Sequence, residues 1–323
     1  MKILIYNSGG GIGDSIQLIP LLNSLKENFK ITNEDIYYLG AHLNHFTSKL
    51  KNFDINIKTL DLKLKYFGFR WWHFFLVKKR FEELKLNTFD LIIDLQSKIR
   101  NTLILRRIPT KTFYSPTFNF FFSNNSKNYI KDKNFIKETL FNLEKIYKKQ
   151  FSSIDFDIKK IDKKYIIEAK RLLPNNNYFG FSITQGNVYR KKNWPLENFI
   201  EVANKIIKKN LTPVFFIEKN NTELMNKIKE KVNHAEFPEH NSQLNSPLLV
   251  TALATRLKKS LTIDNGVMHM IDLAKTPMIV LFGPTNSEKF VSIRENIDVL
   301  DSKEIYNSSD ITKITTEDVL NLI

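Results

Sequence analysis

The 323 residues contain no cysteine, which excludes disulfides and thiolate metal sites and suits a reducing compartment. No segment approaches about 18 uninterrupted apolar residues, so no membrane-spanning helix is expected, and the apolar run Ile3 to Tyr6 is too short for a signal-peptide core. Missing as well are G-x-S-x-G, H-E-x-x-H and G-x-x-x-x-G-K, which removes the serine-hydrolase, zinc-protease and P-loop readings. Internal repeats and low-complexity tracts are absent. Acids are outnumbered, 34 against 49 Lys and Arg, leaving a net charge of +15. That excess favours an anionic partner, whether nucleic acid, an acidic membrane surface or a phosphorylated substrate, without choosing among them. The lysines are scattered, so a compositional bias toward Lys explains part of the excess equally well.

What is present is a folded α/β chain. Hydrophobic residues make up 42% and charged residues 26%, too little charge for disorder, and the length allows two domains with separate cores. Strand-like runs at Ile3 to Tyr6, Ile36 to Leu39, Leu91 to Asp94, Tyr178 to Ile183, Pro213 to Ile217, Leu261 to Ile263 and Met278 to Phe282 alternate with amphipathic segments such as Leu18 to Phe29 and Leu196 to Ile207. Alternation of this kind predicts doubly wound parallel sheets covered on both faces. The pattern weakens between Phe151 and Lys164, which predicts two Rossmann-like domains, 1–158 and 159–323, facing a cleft, with the last helix free to pack back on the first. Ligands in open α/β sheets sit beyond the carboxyl ends of the strands. The glycine loop and the candidate phosphate motifs below all fall on such loops.

The loop Asn7 to Asp14 carries Gly10, Gly11 and Gly13, which let backbone approach a ligand, but Asp14 occupies the place where a dinucleotide fingerprint needs its last glycine. Asp14 reads either as a cap of the following helix or as a general base for an acceptor hydroxyl. Pro20 removes a helical N–H and predicts an early kink. The stretch Ser182 to Pro195, with Thr184, Gln185, the cations Arg190, Lys191 and Lys192, and Trp194, is a candidate diphosphate clamp or a solvated basic loop. Trp194 itself reads as a packing anchor. Glu223 is a ribose contact or a first-turn acid favoured by the helix dipole. Asp264-Asn265-Gly266-Val267-Met268-His269 and Gly283-Pro284-Thr285 both end apolar strands in polar turns, and the first opens directly into a helix, an arrangement suited to phosphate. Asp155-Phe156-Asp157 has the spacing of a metal-binding acid pair but lies in the linker without further oxygen ligands, and no metal is expected.

These blocks, taken together, resemble glycosyltransferase family 9, the bacterial heptosyltransferases of lipopolysaccharide assembly. Met1 to Ile5 through Gly13-Asp14 and Pro20-Leu21-Leu22 resemble the family's opening, Lys192-Asn193-Trp194-Pro195 its K-x-W-P block, and Asp264 to His269 with Phe282 to Thr285 its D-T-G-x-x-H and F-G-P-T blocks. The resemblance implies a GT-B fold, an acceptor-binding first half and a nucleotide-sugar-binding second half. It implies inverting, metal-independent transfer of a heptose or related sugar from an ADP-linked donor to a lipopolysaccharide or other surface-glycan acceptor, with no further cofactor. Asp14 becomes the base and Lys192 the phosphate contact. Glu223 becomes the ribose contact, and Asp264 with Gly266 and His269 the sugar and phosphate loop. Asn265 departs from the family's Thr, and Tyr189, Arg190 and Lys191 crowd the segment before Lys192, which leaves the sugar open.

One aromatic segment, Tyr66 to Phe81, places Trp71 and Trp72 beside Lys78, Lys79 and Arg80. It reads either as a surface leaning into an anionic membrane interface or as a packing helix of the first domain. The expected location is cytoplasmic, extending to the inner face of the cytoplasmic membrane. A catalytically silent sugar-nucleotide binder is the alternative; nucleic-acid binding is a second one, without any recognisable binding signature, and no nucleic-acid partner is expected.

Overall fold

The computed structural model describes residues 1–40, 43–124, 127–186, 192–290 and 295–323. Contacts divide the chain into Met1–Phe156 and Asp157–Ile323. In the first unit β1 (Ile3–Asn7), β2 (Ile36–Gly40), β3 (Lys58–Thr59), β4 (Phe89–Asp94) and β5 (Thr110–Tyr114) form one parallel sheet in the order β3-β2-β1-β4-β5. The sheet is accompanied by α1 (Ile12–Ile16), α2 (Ile19–Phe29), α3 (His73–Glu83), α4 (Ile99–Leu105) and α5 (Phe135–Tyr147). All of β1 is buried, as befits a central parallel strand whose apolar run does not alternate. Its partners are in register on both sides, Ile5 beside Tyr38 and Ile93. Pro20 falls in the first turn of α2, so the kink expected from it is a break between α1 and α2.

The second unit repeats the plan. Its strands β6 (Tyr178–Ser182), β7 (Thr212–Phe215), β8 (Leu257–Ile263), β9 (Met278–Phe282) and β10 (Ile297–Asp301) are parallel in the order β10-β9-β8-β6-β7. With them go α6 (Lys163–Leu172), α7 (Leu196–Ile207), α8 (Thr222–Lys231), α9 (Pro247–Ala254), α10 (Gly266–Leu273), α11 (Ser287–Phe290), α12 (Ser302–Tyr306) and α13 (Thr316–Leu320). The last helix, α13, packs with α7 inside this unit, where the sequence alone leaves open a return onto the first. An aromatic column fills the core: Phe181 stacks on Phe215 at 4.7 Å and 14°, and Phe215 on Phe237 at 5.9 Å and 19°. Trp194 is the packing anchor expected of it, meeting Phe199 edge-on at 4.9 Å and donating Nε1–H to the Ile314 carbonyl at 2.8 Å.

Strand order reverses direction between β1 and β4 in one sheet and between β6 and β8 in the other. A crevice opens beyond the carboxyl ends of the strands at such a reversal. The residues leaving those strands are Asn7 and Asp94 in the first unit and Ser182 and Asp264 in the second, so the topology alone picks out two strand-end sites.

Because Phe181 is fully buried in the aromatic column, Phe181→Ala should cost about 3–5 kcal/mol, read as a lowered urea midpoint. A loss below about 1 kcal/mol would show that the column does not bear on stability.

Candidate functional site

At the first strand end Asn7 ties three segments together. Its Oδ1 accepts from the Gly9 N–H at 3.0 Å and from Gln96 Nε2 at 3.0 Å, while its Nδ2 donates to the Asp14 carbonyl at 3.1 Å. This folds the glycine loop back over α1 so tightly that a Cβ on Gly9 would lie 2.4 Å from Asp14 Cγ. Asp14 is half-buried in the first turn of α1, and its Oδ2 accepts the Gly11 N–H at 3.0 Å. The carboxylate is therefore oriented by its helix while standing at the reversal. Gly13 accepts from Gln17 N at 3.1 Å. Gly10 presents its carbonyl to His45 Nε2 at 3.2 Å. His45 is a contact that sequence reasoning missed; its short turn carries no motif.

Asp94, read from sequence only as the end of a strand, is fully buried beside this loop. Thr102 and Ser115 donate hydroxyls to its Oδ2 at 2.6 and 2.8 Å, and the Gln96 N–H donates to Oδ1 at 2.9 Å. Burial pushes its carboxyl up to about 7 in spite of those donors. Through Gln96, which reaches Asn7, the buried acid braces the same loop that holds Asp14.

At the second strand end Lys192 forms an ion pair with Asp264, their side chains 13% and 7% exposed. Lys192 Nζ also donates to the Asp264 carbonyl at 3.3 Å, and the Lys192 N–H to Gln185 Oε1 at 3.0 Å. Asn265 caps α10, its Oδ1 accepting from Met268 N at 2.9 Å. Its Nδ2 donates to Ser182 Oγ at 2.7 Å and to the Thr184 carbonyl at 2.9 Å, pinning the end of β6 to the end of β8. The family's Thr would keep the cap but has no second donor for that bridge. Gly266 and Val267, half-exposed, open α10 with its N-terminus beside the pair. His269 is buried one turn in, and burial lowers its imidazole below the ordinary value, with Asp264 opposing the shift and Lys192 adding to it. The result is a part-buried cation paired with Asp264, a neutral imidazole and a helix terminus at one strand end, chemistry suited to an anion.

Some expected contacts stand elsewhere. Glu223, in the first turn of α8, has a side chain 81% exposed and paired with Lys227 at 2.6 Å, so within its unit it serves the helix surface. Glu239, missed because it lies in an irregular stretch, is the acid that is desolvated there: burial, with the like charge of Glu218 beside it, pushes its carboxyl up to about 7. Met268, expected at the donor, instead buries its side chain and gives its N–H to Asn265. Gly283 is required by packing, since a Cβ would lie 2.9 Å from Ile311 N and 3.0 Å from the Ser309 carbonyl. The carbonyls of Pro284 and Thr285 both accept from Lys303 Nζ at 3.1 Å. Thr285 Oγ1 is buried and has no hydrogen-bond partner among the described residues. Asn187, Val188, Tyr189, Arg190 and Lys191 lie outside the described residues. Asp157 caps a turn through the Lys159 N–H at 3.0 Å, and no cluster of three or more metal-ligating side chains occurs among the described residues.

A family model described as glycosyltransferase family 9 (heptosyltransferase) matches residues 77–320. Among solved structures, a family 9 glycosyl transferase from Veillonella parvula superposes with a TM-score of 0.66 at 16% identity, over 99% of this chain and 95% of that one. E. coli heptosyltransferase WaaC with ADP gives 0.65 at 16% identity over 100% and 97%. E. coli ADP-heptose LPS heptosyltransferase II gives 0.61 at 15% identity over 99% and 97%. At such identities the likeness is one of fold, and the fold is GT-B. No curated protein sequence matches the chain.

Two variants test the strand ends. The folded protein holds a proton on Asp94 up to about 7, against 3.8 for the ordinary group, so folding takes up a proton between those values and stability falls as pH rises through that window. Asp94→Asn should remove this slope, amounting to a few kcal/mol across the window, in urea titrations at a series of pH values; parallel curves for both proteins would refute the buried acid. Asn265→Thr should cost about 1–3 kcal/mol through the lost bridge to Ser182 and Thr184, and an unchanged midpoint would show that the bridge carries no weight.

Proposed function

The chain belongs to glycosyltransferase family 9 and is a glycosyltransferase, and we propose that it moves a heptose or related sugar from an ADP-linked nucleotide sugar to a hydroxyl of a lipopolysaccharide or other surface-glycan acceptor, with inversion and without a metal. The observation that carries this reading is the dry Lys192–Asp264 pair beside the N-terminus of α10. The E. coli WaaC structures with ADP and with ADP-2-deoxy-2-fluoro heptose support an adenosine diphosphate as the leaving group.

In this reading the acceptor oxygen attacks the anomeric carbon as the bond from that carbon to the diphosphate oxygen breaks. The hydroxyl proton passes to the Asp14 carboxylate, oriented by the Gly11 N–H. The electron pair of the broken bond goes to the diphosphate, whose growing charge meets Lys192 Nζ and the first amides of α10. Those groups supply the positive charge that a metal supplies in other transferases. A buried cation stabilises that charge more than an exposed one, because water does not screen it. His269, held neutral by burial, adds a hydrogen-bonding group without adding charge.

Thermal melts with ADP-, GDP-, UDP- and CDP-sugars test the donor. ADP-sugars should raise the apparent melting temperature of the wild type and of Asp14→Asn alike, and Lys192→Met should abolish the rise relative to its own ligand-free melt. Asp14→Asn should lower kcat about 10²–10⁴-fold. Undiminished turnover would remove Asp14 as the base, and stabilisation by none of the four donors would remove the nucleotide-sugar reading.

A further inference from the structure

Rings and cations that serve neither strand end collect on one face of the first unit. Along α3, His73, Val77 and Phe81 turn inward at four-residue spacing. The opposite stripe leaves Phe75, Leu76, Lys78 and Lys79 exposed, continuing Trp71 and Trp72, which are 56% and 57% exposed. Arg80 pairs with Glu83 at 2.9 Å. A second set of rings comes from the loop after β5. Phe118, Asn119 and Phe120 all have positive φ, of 49°, 51° and 66°, a backbone that side chains other than glycine rarely adopt. This turn buries Phe120 completely while leaving Phe118 65% and Phe121 72% exposed. A strained loop that holds two phenylalanines in water has a use for them there.

The two sets are joined by cations. The Arg107 guanidinium lies 5.0 Å from the Phe74 ring, which meets the exposed Phe75 edge-on at 5.5 Å. Arg106 donates to the Phe122 carbonyl at 2.6 Å, and Phe122 in turn touches Phe118 and Phe121 at centroid distances of 6.2 and 5.2 Å. Between these contacts, at the outer edge of β5, a cavity of about 290 Å³ is lined by Arg106, Arg107 and Lys111, the last paired with Asp90 at 2.7 Å, together with Thr110 and Asn124. Farther along the same face Arg70 lies over Trp72 at 5.4 Å and Lys98 over Phe69 at 5.9 Å.

Exposed rings interleaved with Arg and Lys suit one kind of partner. Protein interfaces favour aromatics and Arg but exclude Lys from their cores. An anionic bilayer takes both, the rings at the headgroup level and the cations against lipid phosphates. We propose that this face seats the enzyme on an anionic bilayer, with Trp71, Trp72, Phe75, Phe118 and Phe121 entering the headgroup layer and the Arg106–Arg107–Lys111 cavity taking a lipid phosphate. No helix among the described residues is long and apolar enough to cross a membrane, so the seat is interfacial. The inference does not depend on the donor or on the transfer reaction.

Co-sedimentation of the full chain with phosphatidylcholine vesicles, with and without phosphatidylglycerol, tests it. The protein should pellet with the phosphatidylglycerol vesicles and not with the neutral ones, and added salt should release it. Arg107→Gln should weaken binding about fivefold, as expected for one charge at the surface. Phe118→Ser with Phe121→Ser should weaken it at least about tenfold, and Phe121→Ser alone by less. Each variant should keep the ligand-free melting temperature of the wild type, because the rings removed are exposed. Equal pelleting with both vesicle types, no pelleting with either, or variants that bind like the wild type would overturn the proposal. So would a wild-type dimer that the phenylalanine variants convert to monomer in size-exclusion chromatography, since a second copy of the chain would then be the occupant.

Discussion

Burying Lys192 against Asp264 is the constraint on which the second unit turns. Removing two charges from water costs several kcal/mol per ion, and their attraction offsets this only where geometry and further hydrogen bonds are favourable. Here the geometry is fixed from three directions. Gln185 holds the lysine backbone, the Asp264 carbonyl takes a second bond from Nζ, and Asn265, next in the chain, is locked to both Ser182 and Thr184. The pair is therefore poor as a source of stability and good as a means of position. A lysine held in place and mostly out of water has a field that solvent screens less than that of an exposed one. The same burial lowers the His269 imidazole, so that Lys192 is the charged base at this strand end and His269 a neutral hydrogen-bonding group beside it.

The first unit has the same topology and the opposite electrostatics. Its strand-end asparagine, Asn7, joins loop, helix and neighbouring strand much as Asn265 does. The buried group beneath it is an acid without a cation, Asp94, surrounded by hydroxyls and an amide N–H. Such a carboxyl keeps its proton to higher pH and braces the loop as a hydrogen-bonding group, adding little charge. Asp14, on the same loop, is half-buried and has its carboxylate oriented by the Gly11 N–H.

The parts of the fold legible in sequence were those with buried, unalternating apolar strands. Met278 to Phe282 is β9 as read, and Ile3 to Tyr6 and Ile36 to Leu39 fall short of β1 and β2 by one residue each. The strands that escaped, β3, β5 and β10, all lie at sheet edges. There one side faces solvent, and sequences such as Thr110-Lys111-Thr112 carry no apolar signal. Spacing also does not reveal that Gly9 and Gly283 are required by close packing of their own chain.

At the strand ends, residue type was legible and partnership was not. Asp264, Lys192 and Asp14 stand on loops that the alternation of elements already pointed to, because a parallel sheet delivers its carboxyl ends to one rim. Whether an acid on such a loop meets solvent or is desolvated depends on long-range contacts, which is why nothing local marks Asp94 and Glu239. Asn265 shows the limit most clearly. Read locally it is a substitution for threonine within a loop motif, a mere departure. In three dimensions its amide spans 83 residues to reach Ser182, so the change adds a crossbrace to the rim that holds Lys192. A donor bound against a braced rim meets groups already in position, and the interaction free energy that would otherwise order the loop is left for the developing charge of the leaving group.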